Sequence, residues 1–315
     1  MTDRDFCDTI FVKIQRIGDL MKKVFVVGSI NTDLVITAPY FPQKGETLTG
    51  SDFFVAHGGK GANQAVAAAR AGGRVYMCGC VGNDSFGREA IASLDADGID
   101  TKYIRVADGV ATGTAVIVVI DGDNRIILDR GANASLKKED IDAMLEEAEE
   151  GDIYLTQLEN PIDIIGYGLK KAKEKGLYVI LNPAPASIEI SPYIEYCNLI
   201  TPNETECALF GGKEALIGKC ETLLITLGGD GFEINDKNGC RKYPCVKVDV
   251  VDTTAAGDTL CGTLATKLAM GMEFDAAARY ASLTASIACS KKGAQPSIPQ
   301  KEEVLRMISD KNILL

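Results

Sequence analysis

Asp258 and the small residues before it form the stretch of this sequence best suited to chemistry. The run VDTTAAGD (251–258) follows a β-branched segment at 246–251, which predicts a strand, and it leads into an apolar helical pattern at 260–270. Small residues at a helix N-terminus let backbone N–H groups bind an anion. A carboxylate at that point can act as a general base; alternatively, Asp258 simply caps its helix.

Three other polar stretches stand beside predicted element ends. Asn31 and Asp33 follow an apolar run at 24–30, and open α/β sheets bind ligands past the carboxyl ends of such strands. These side chains suit sugar hydroxyls, but they equally suit an Asx turn. GGKGANQ (58–64) leads into an alanine-rich helix without the Lys-Ser/Thr of a P-loop. Asn203 and Glu206 have the spacing of a capping box.

The elements that must position these residues alternate as strand and helix. Apolar runs at 24–30, 74–81, 152–158, 178–181 and 223–227 predict buried strands of a mostly parallel sheet, and helical patterns lie between several of them. Alternating segments at 34–55 and a hairpin within 112–130 predict a small β unit that interrupts this pattern. Such a unit is suited to serve as a lid and to pair with another subunit.

Composition narrows the function classes. The net charge of −11 argues against a nucleic-acid or anionic-membrane partner. No secretory signal or long apolar run is present, and the ten cysteines lack zinc-site spacing. Reduced thiols in a cytoplasmic protein are therefore expected. The single histidine, His57, leaves acid–base chemistry mainly to Asp, Glu or Lys.

Seven segments, taken in order, resemble those of the PfkB carbohydrate kinases over residues 23–300. They are GSINTD (28–33), GGKGANQAVAAAR (58–70), LNPAPA (181–186), TPNETE (201–206), ITLGGDG (225–231), VDTTAAGDT (251–259) and KKGAQPS (291–297). GGKGAN together with the early Asn-x-Asp favours the members that act on ribose. The resemblance implies a three-layer α/β fold with a mostly parallel central sheet, helices on both faces and a small β-sheet lid. It also implies phosphorylation of D-ribose at O5 by ATP.

The resemblance carries roles onto individual residues. It makes Asp258 the general base, with an anion hole formed by the backbone of Ala255, Ala256 and Gly257. The implied sugar contacts are Asn31, Asp33, Gly59, Lys60, Asn63, Glu159 and Asp258. The implied ATP contacts are Asn203, Thr226, Leu227, Gly228, Gly229, Asp230, Gly231, Gly257 and Ser282. Glu206 would order water around Mg²⁺, and K⁺ would be held by loops containing Asp252, Thr254, Ala288, Lys291, Gly293 and Ser297.

Several expectations accompany this assignment. Residues 21–315 form the kinase domain, residues 1–20 are an N-terminal extension of unassigned role, and the enzyme is a homodimer through the lid sheets. The chain between Cys207 and Leu223 is shorter than in the family, and position 282, a histidine in some relatives, is serine. Two alternatives remain: a PfkB-family kinase for another sugar or nucleoside, or a non-catalytic sugar-binding regulator on the same fold.

Overall fold

The larger of two β-sheets forms the centre of the protein. The computed structural model describes residues 21–313, so the predicted extension at 1–20 lies outside the described residues. Strand order in this sheet is β13-β12-β11-β10-β9-β8-β1-β4-β5, parallel from β11 to β5, with β12 and β13 antiparallel at one edge. Its strands are β1 (Lys23–Val27), β4 (Arg74–Gly82), β5 (Asp100–Ala107), β8 (Ile153–Thr156), β9 (Tyr178–Leu181), β10 (Leu199–Ile200), β11 (Thr222–Thr226), β12 (Phe232–Asp236) and β13 (Gly239–Tyr243).

Helices cover both faces of this sheet. Val24 and Val26 of β1 belong to one apolar core, and Phe25 and Val27 belong to the other, because successive side chains of a strand point to opposite faces. The fold is therefore a three-layer α/β architecture with a mostly parallel central sheet, as predicted. The helices are α1 (Lys60–Arg70), α2 (Ser85–Ala96), α3 (Lys138–Leu145), α4 (Ile162–Glu174), α5 (Glu204–Leu209), α6 (Lys213–Leu216), α7 (Ala256–Ala269), α8 (Phe274–Cys289) and α9 (Lys301–Asp310).

A second, four-stranded sheet stands apart from the central one. Its order is β3-β2-β6-β7, with β2 and β6 parallel and the outer pairs antiparallel. The predicted hairpin is present, with a turn at Asp121 and Gly122, both at positive φ. The strands are β2 (Asn31–Thr37), β3 (Ser51–Gly58), β6 (Gly113–Ile120) and β7 (Asp123–Asp129).

The prediction of a strand at 246–251 is wrong. Within the described residues this stretch pairs with no strand, and its Val250 and Val251 are 65% and 53% exposed. Its end is instead fixed by Val251 and Asp252, whose N–H groups both donate to Cys289 O at the end of α8. β-Branched residues favour strands only where a partner strand and a packing face exist.

The short connection between Cys207 and Leu223 contains the end of the six-residue helix α5 and the four-residue helix α6. Leu216 and Phe210 bury their side chains against the core nonetheless. The nine cysteines in the described part of the chain are all free thiols. Among residues 21–313, no helix combines the length and apolar character needed to span a membrane.

Candidate active site

A polar cavity of about 200 Å³ lies at the start of α7. Ala255, Ala256, Gly257 and Asp258 line one wall of it, and Lys60 lines another. Ala255 adopts the left-handed conformation (φ 59°) as the residue preceding the helix, which turns the chain sharply from the loop into α7. The first N–H groups of a helix have no carbonyl partner within it, although Ala256 N–H donates to Thr253 O (3.2 Å) here.

Asp258 does not cap its helix. Ala255 occupies the cap position, and Asp258 lies in the first turn with only 5% of its surface exposed. Its carboxylate instead accepts two side-chain hydrogen bonds from α1: Gln64 Nε2 donates to Oδ1 (3.0 Å) and Asn63 Nδ2 donates to Oδ2 (3.1 Å). The capping interpretation is therefore wrong, and the carboxylate is held at the cavity by another helix.

Asn31 and Asp33 begin β2 of the small sheet, just past the end of β1, and are not held in an Asx turn. Both are buried, at 3% and 9% exposure. Asn133 Nδ2 donates to Asn31 Oδ1 (2.7 Å) and fixes that side chain. Gly59 precedes α1 at φ 88°, and a Cβ there would lie 2.7 Å from Asn31 N, so the close approach requires glycine.

Four charged groups meet around this corner: Asp33, Lys60, Glu159 and Asp258. Glu159 Oε2 accepts from Ser29 Oγ (2.5 Å) and from Lys60 N (3.2 Å). The carboxylate of Asp258, with a smaller contribution from Glu159, raises the pKa of Lys60 despite its burial. Burial, reinforced by the charges of Glu159 and Asp258, raises the pKa of Asp33 from its ordinary 3.8 to about 7. Asp33 therefore titrates near neutral pH.

A second, more apolar cavity of about 360 Å³ adjoins the first. The two share the lining residues Asn203, Thr226, Thr253, Ala256 and Gly257, so they meet at the start of α7. Of the other sequence-predicted nucleotide residues, those that line the second cavity are Gly228, Gly229, Gly231 and Ser282.

Two residues of the predicted nucleotide segment lie outside the walls of both cavities. Leu227 packs against the apolar core, and Asp230 ends the short 3₁₀ turn Gly228–Asp230. Neither is among the residues that line the two cavities. Both residues belong to the glycine turn, which Leu227 N closes by donating to Gly231 O (2.8 Å).

Asn203 and Glu206 form the capping box that their spacing predicts. Asn203 Oδ1 accepts from Glu206 N (2.8 Å), and Asn203 N donates to Glu206 Oε2 (2.9 Å). Both residues also line the polar cavity. Burial raises the pKa of Glu206 against the opposing effect of the Asn203 N–H and the Lys60 charge. Capping and a role in the site are thus compatible, because the box uses only Oδ1 of Asn203 and Oε2 of Glu206.

The loops predicted to hold a monovalent cation lie side by side. Asp252 Oδ1 accepts from Thr254 N and Oγ1, and Oδ2 accepts from Gly293 N (2.9 Å). Burial opposes ionisation of Asp252, but these hydrogen bonds outweigh it and lower its pKa. Lys291 turns its Nζ towards Glu303 (2.7 Å). Ala288, at the end of α8, and Ser297, in the 3₁₀ turn that follows, are both completely buried.

Sequence reasoning missed four buried amides around the site: Gln64, Asn133, Gln157 and Asn182. Each is at most 6% exposed. Gln64 and Asn182 lie inside the quoted segments GGKGANQ and LNPAPA, so the segments themselves were a signal. Asn133 and Gln157 lie outside every such segment, and only the folded chain brings them to the site.

Comparison with known proteins shows which family the chain belongs to. Residues 21–301 match the pfkB family of carbohydrate kinases. A ribokinase of Haemophilus influenzae is 39% identical over 303 residues, spanning 92% of this chain and 99% of the relative. A deoxyribokinase of Salmonella typhi is 33% identical, spanning 91% and 98%. The structure of Arabidopsis thaliana ribokinase complexed with ribose and ATP has a TM-score of 0.81 and 29% identity, covering 91% of this chain and 99% of that one.

The matched family segment includes every residue of the two cavities and of the small sheet. The relatives are matched over nearly their whole length. This chain therefore belongs to the pfkB family of carbohydrate kinases.

Proposed function

We propose that this protein is a ribokinase, which transfers the γ-phosphoryl group of ATP to O5 of D-ribose. The observation that carries the proposal is the meeting of two cavities at the first turn of α7. One is polar and contains a buried carboxylate; the other is larger and more apolar, as suits a nucleotide base. A phosphoryl group passing between them would cross in front of Asp258.

Asp258 acts as the general base in this proposal. It accepts the proton of the 5-hydroxyl as O5 attacks the γ-phosphorus; the bond from that phosphorus to the β,γ-bridging oxygen breaks, and ADP leaves. A positioned base contributes about 10²–10⁴-fold to such a step. The backbone N–H groups at Ala255, Ala256 and Gly257, with the protonated Lys60, stabilise charge on the transferred group.

The sugar lies between the small sheet and α1. Polar atoms from both are already buried there, and Asn63 Oδ1 has no hydrogen-bond partner among the described residues. A buried acceptor of this kind is suited to a substrate hydroxyl. The residues assigned to sugar binding are Asn31, Asp33, Gly59, Lys60, Asn63 and Glu159.

ATP occupies the second cavity, with its adenine end towards Ser282 and its phosphates towards α7. The glycine turn allows close approach of the nucleotide, since Gly229 has no atom within 4 Å of where a Cβ would stand. The residues assigned to this side are Asn203, Thr226, Leu227, Gly228, Gly229, Asp230, Gly231, Gly257 and Ser282.

Two cations complete the proposal. Mg²⁺ enters with ATP and neutralises phosphate charge, and the remaining oxygen of Glu206 fits a water of its shell. We assign K⁺ to the paired loops, because Asp252 has a lowered pKa and its two oxygens hold the loops together through the N–H groups of Thr254 and Gly293. Its candidate residues are Asp252, Thr254, Ala288, Lys291, Gly293 and Ser297.

The small sheet serves as lid and as subunit interface. Asn124 in its hairpin donates to Thr254 Oγ1 (3.3 Å), so the sheet reaches across the site. One of its faces is apolar and exposed: Phe53, Val116 and Ile127 share it and are 62%, 39% and 62% exposed. Exposed apolar strands of this kind favour pairing with a second copy. We therefore infer a homodimer, acting in the cytoplasm where ATP is available.

Ribose binding is expected to weaken as pH falls through 7. Asp33 with its pKa of about 7 must ionise to accept strongly from sugar hydroxyls. Protonation predominates below that pH, so the association constant for ribose should rise about tenfold from pH 6 to pH 8. Calorimetry without ATP measures this directly and avoids titration of the nucleotide. Asp33→Asn should abolish the pH dependence; an affinity that is constant over this range in the parent would contradict the assignment.

The enzyme should prefer ribose to 2-deoxyribose. The comparison matters because the Salmonella relative is a deoxyribokinase. A site that pairs buried Asn and Asp side chains with hydroxyls should bind 2-deoxyribose about 10-fold or more weakly, because one polar group is left unmatched. A coupled assay of ADP release with ribose, 2-deoxyribose, fructose and adenosine measures this. The highest kcat/KM with any sugar other than ribose would redirect the assignment, and no ADP release with any of them would favour a binding protein.

A further inference from the structure

A network of buried side-chain amides holds the carboxylate of Asp258 in place. Gln64 is completely buried on α1 and uses its whole side-chain amide. Its Nε2 donates to Asp258 Oδ1 (3.0 Å) and to Asn182 Oδ1 (3.1 Å), while its Oε1 accepts from Gln157 Nε2 (2.6 Å). Because all of these bonds use one planar amide, Gln64 cannot rotate without breaking at least one of them.

Two glycines create the room for this network. Helices α1 and α7 touch at Gly262, where a Cβ would lie 2.2 Å from Gln64 O. Gln157 directly follows β8 and packs on Gly28, where a Cβ would lie 2.1 Å from Gln157 Oε1. The close contacts bring residues from α1, β8 and α7 together, although they are 93 and 194 positions apart in the chain.

We propose that Gln64 is a positioning residue for the phosphoryl transfer, supported in turn by Gln157. It fixes Oδ1 of Asp258, so that Oδ2, which contacts Asn63 on the sugar side, is the oxygen that takes the proton. This inference rests on the proposed role of Asp258 as base. A neutral amide suits the task, because it holds the carboxylate in one orientation without adding a positive charge that would weaken it as a base.

The first test compares Gln64→Met with the parent enzyme. Methionine has similar length but cannot donate, so the carboxylate loses its anchor while the core stays filled. We expect kcat at saturating ribose to fall about 10- to 100-fold, with the ribose Kd from calorimetry within about threefold.

A matched control separates positioning from packing. Thr266 is completely buried at the same pair of helices, and its Oγ1 donates to Ala68 O (2.9 Å), remote from Asp258. Thr266→Val should lower the free energy of unfolding yet leave kcat within about twofold of the parent. An equal loss of kcat in Thr266→Val and Gln64→Met would assign the effect to packing and overturn the inference.

A double-mutant cycle separates this inference from the proposed function. In the Asp258→Asn background, Gln64→Met should cause no further loss of kcat, because it acts through the same carboxylate. If Asp258→Asn is inactive while Gln64→Met keeps kcat within threefold of the parent, the positioning role alone fails. If Asp258→Asn retains full turnover, the proposed base fails with it.

Gln157→Met provides a second route if Gln64→Met does not fold. It removes only the donor to Gln64 Oε1 and leaves the bond to Asp258 possible. An intermediate loss of kcat, with the ribose Kd within about threefold of the parent, would support the network. Unchanged kcat in a folded Gln157→Met would contradict it.

Discussion

Replacing Asp258 by asparagine is expected to lower kcat about 100- to 10,000-fold while ribose and ATP still bind. Asparagine keeps the size of the side chain but cannot take the proton of the attacking hydroxyl, which removes the contribution of a general base. Positioning and the N–H groups of the first turn of α7 remain, so some turnover persists. The coupled ADP-release assay measures kcat, and calorimetry measures each Kd.

Asp152 provides the matched control for this substitution. It is also a buried carboxylate, 2% exposed, but it directly precedes β8 and so lies at the amino-terminal ends of the parallel strands. There it accepts from Lys23 N and Glu149 N (both 2.8 Å). Asp152→Asn should reduce stability and leave kcat within about twofold of the parent. Turnover of Asp258→Asn within about threefold of the parent would rule out the base assignment.

Replacing Asp33 by alanine should act on ribose affinity and much less on kcat. Asp33 is 9% exposed at the start of β2, so little water reaches its carboxylate. In the parent enzyme a sugar hydroxyl would donate to that carboxylate instead. A hydrogen bond to a charged group contributes about 1.5–3 kcal/mol, so the Kd for ribose should rise about 10- to 100-fold. The Kd for ATP should be unchanged, and calorimetry with each ligand in turn measures both.

Asp52→Asn serves as its control in the same small sheet. Asp52 is exposed at the start of β3, and asparagine tolerates its left-handed conformation (φ 52°). This variant removes one negative charge from the sheet without touching the site, so ribose affinity should not change. If Asp33→Ala binds ribose as tightly as the parent, or if both variants weaken binding equally, Asp33 has no specific contact with the sugar.

The fold could be predicted where local pattern and tertiary environment agree. Tyr178–Leu181 is a short apolar run, buried between two parallel neighbours, and its predicted bounds match the structure. Residues 246–251 are also rich in valine, but among the described residues they have no partner strand, so the same rule fails there. The sequence does not predict the strand Asp100–Ala107, for the opposite reason. Lys102 and Arg105 interrupt its apolar pattern, and an edge strand tolerates such charged residues.

The site could be predicted only in part, for a related reason. Asn31, Asp33 and Asp258 lie at element ends within recognisable segments, where ligand-binding side chains concentrate. The support of Asp258 by Gln64 and Gln157 depends on helix and strand packing across the fold, which no local spacing encodes. The alternative in which Asp258 caps its helix is wrong, because the helix begins earlier, after Ala255 with its left-handed backbone.

The position of the phosphate in the product tests the central claim most directly. The protein is incubated with D-ribose and MgATP, and the product is analysed by phosphorus-31 NMR with proton coupling. Transfer to O5 predicts one new phosphate monoester coupled to the two protons of C5, formed in equal amount to ADP and absent without ribose. Phosphate on another hydroxyl, or ADP formed without any sugar phosphate, would contradict the account.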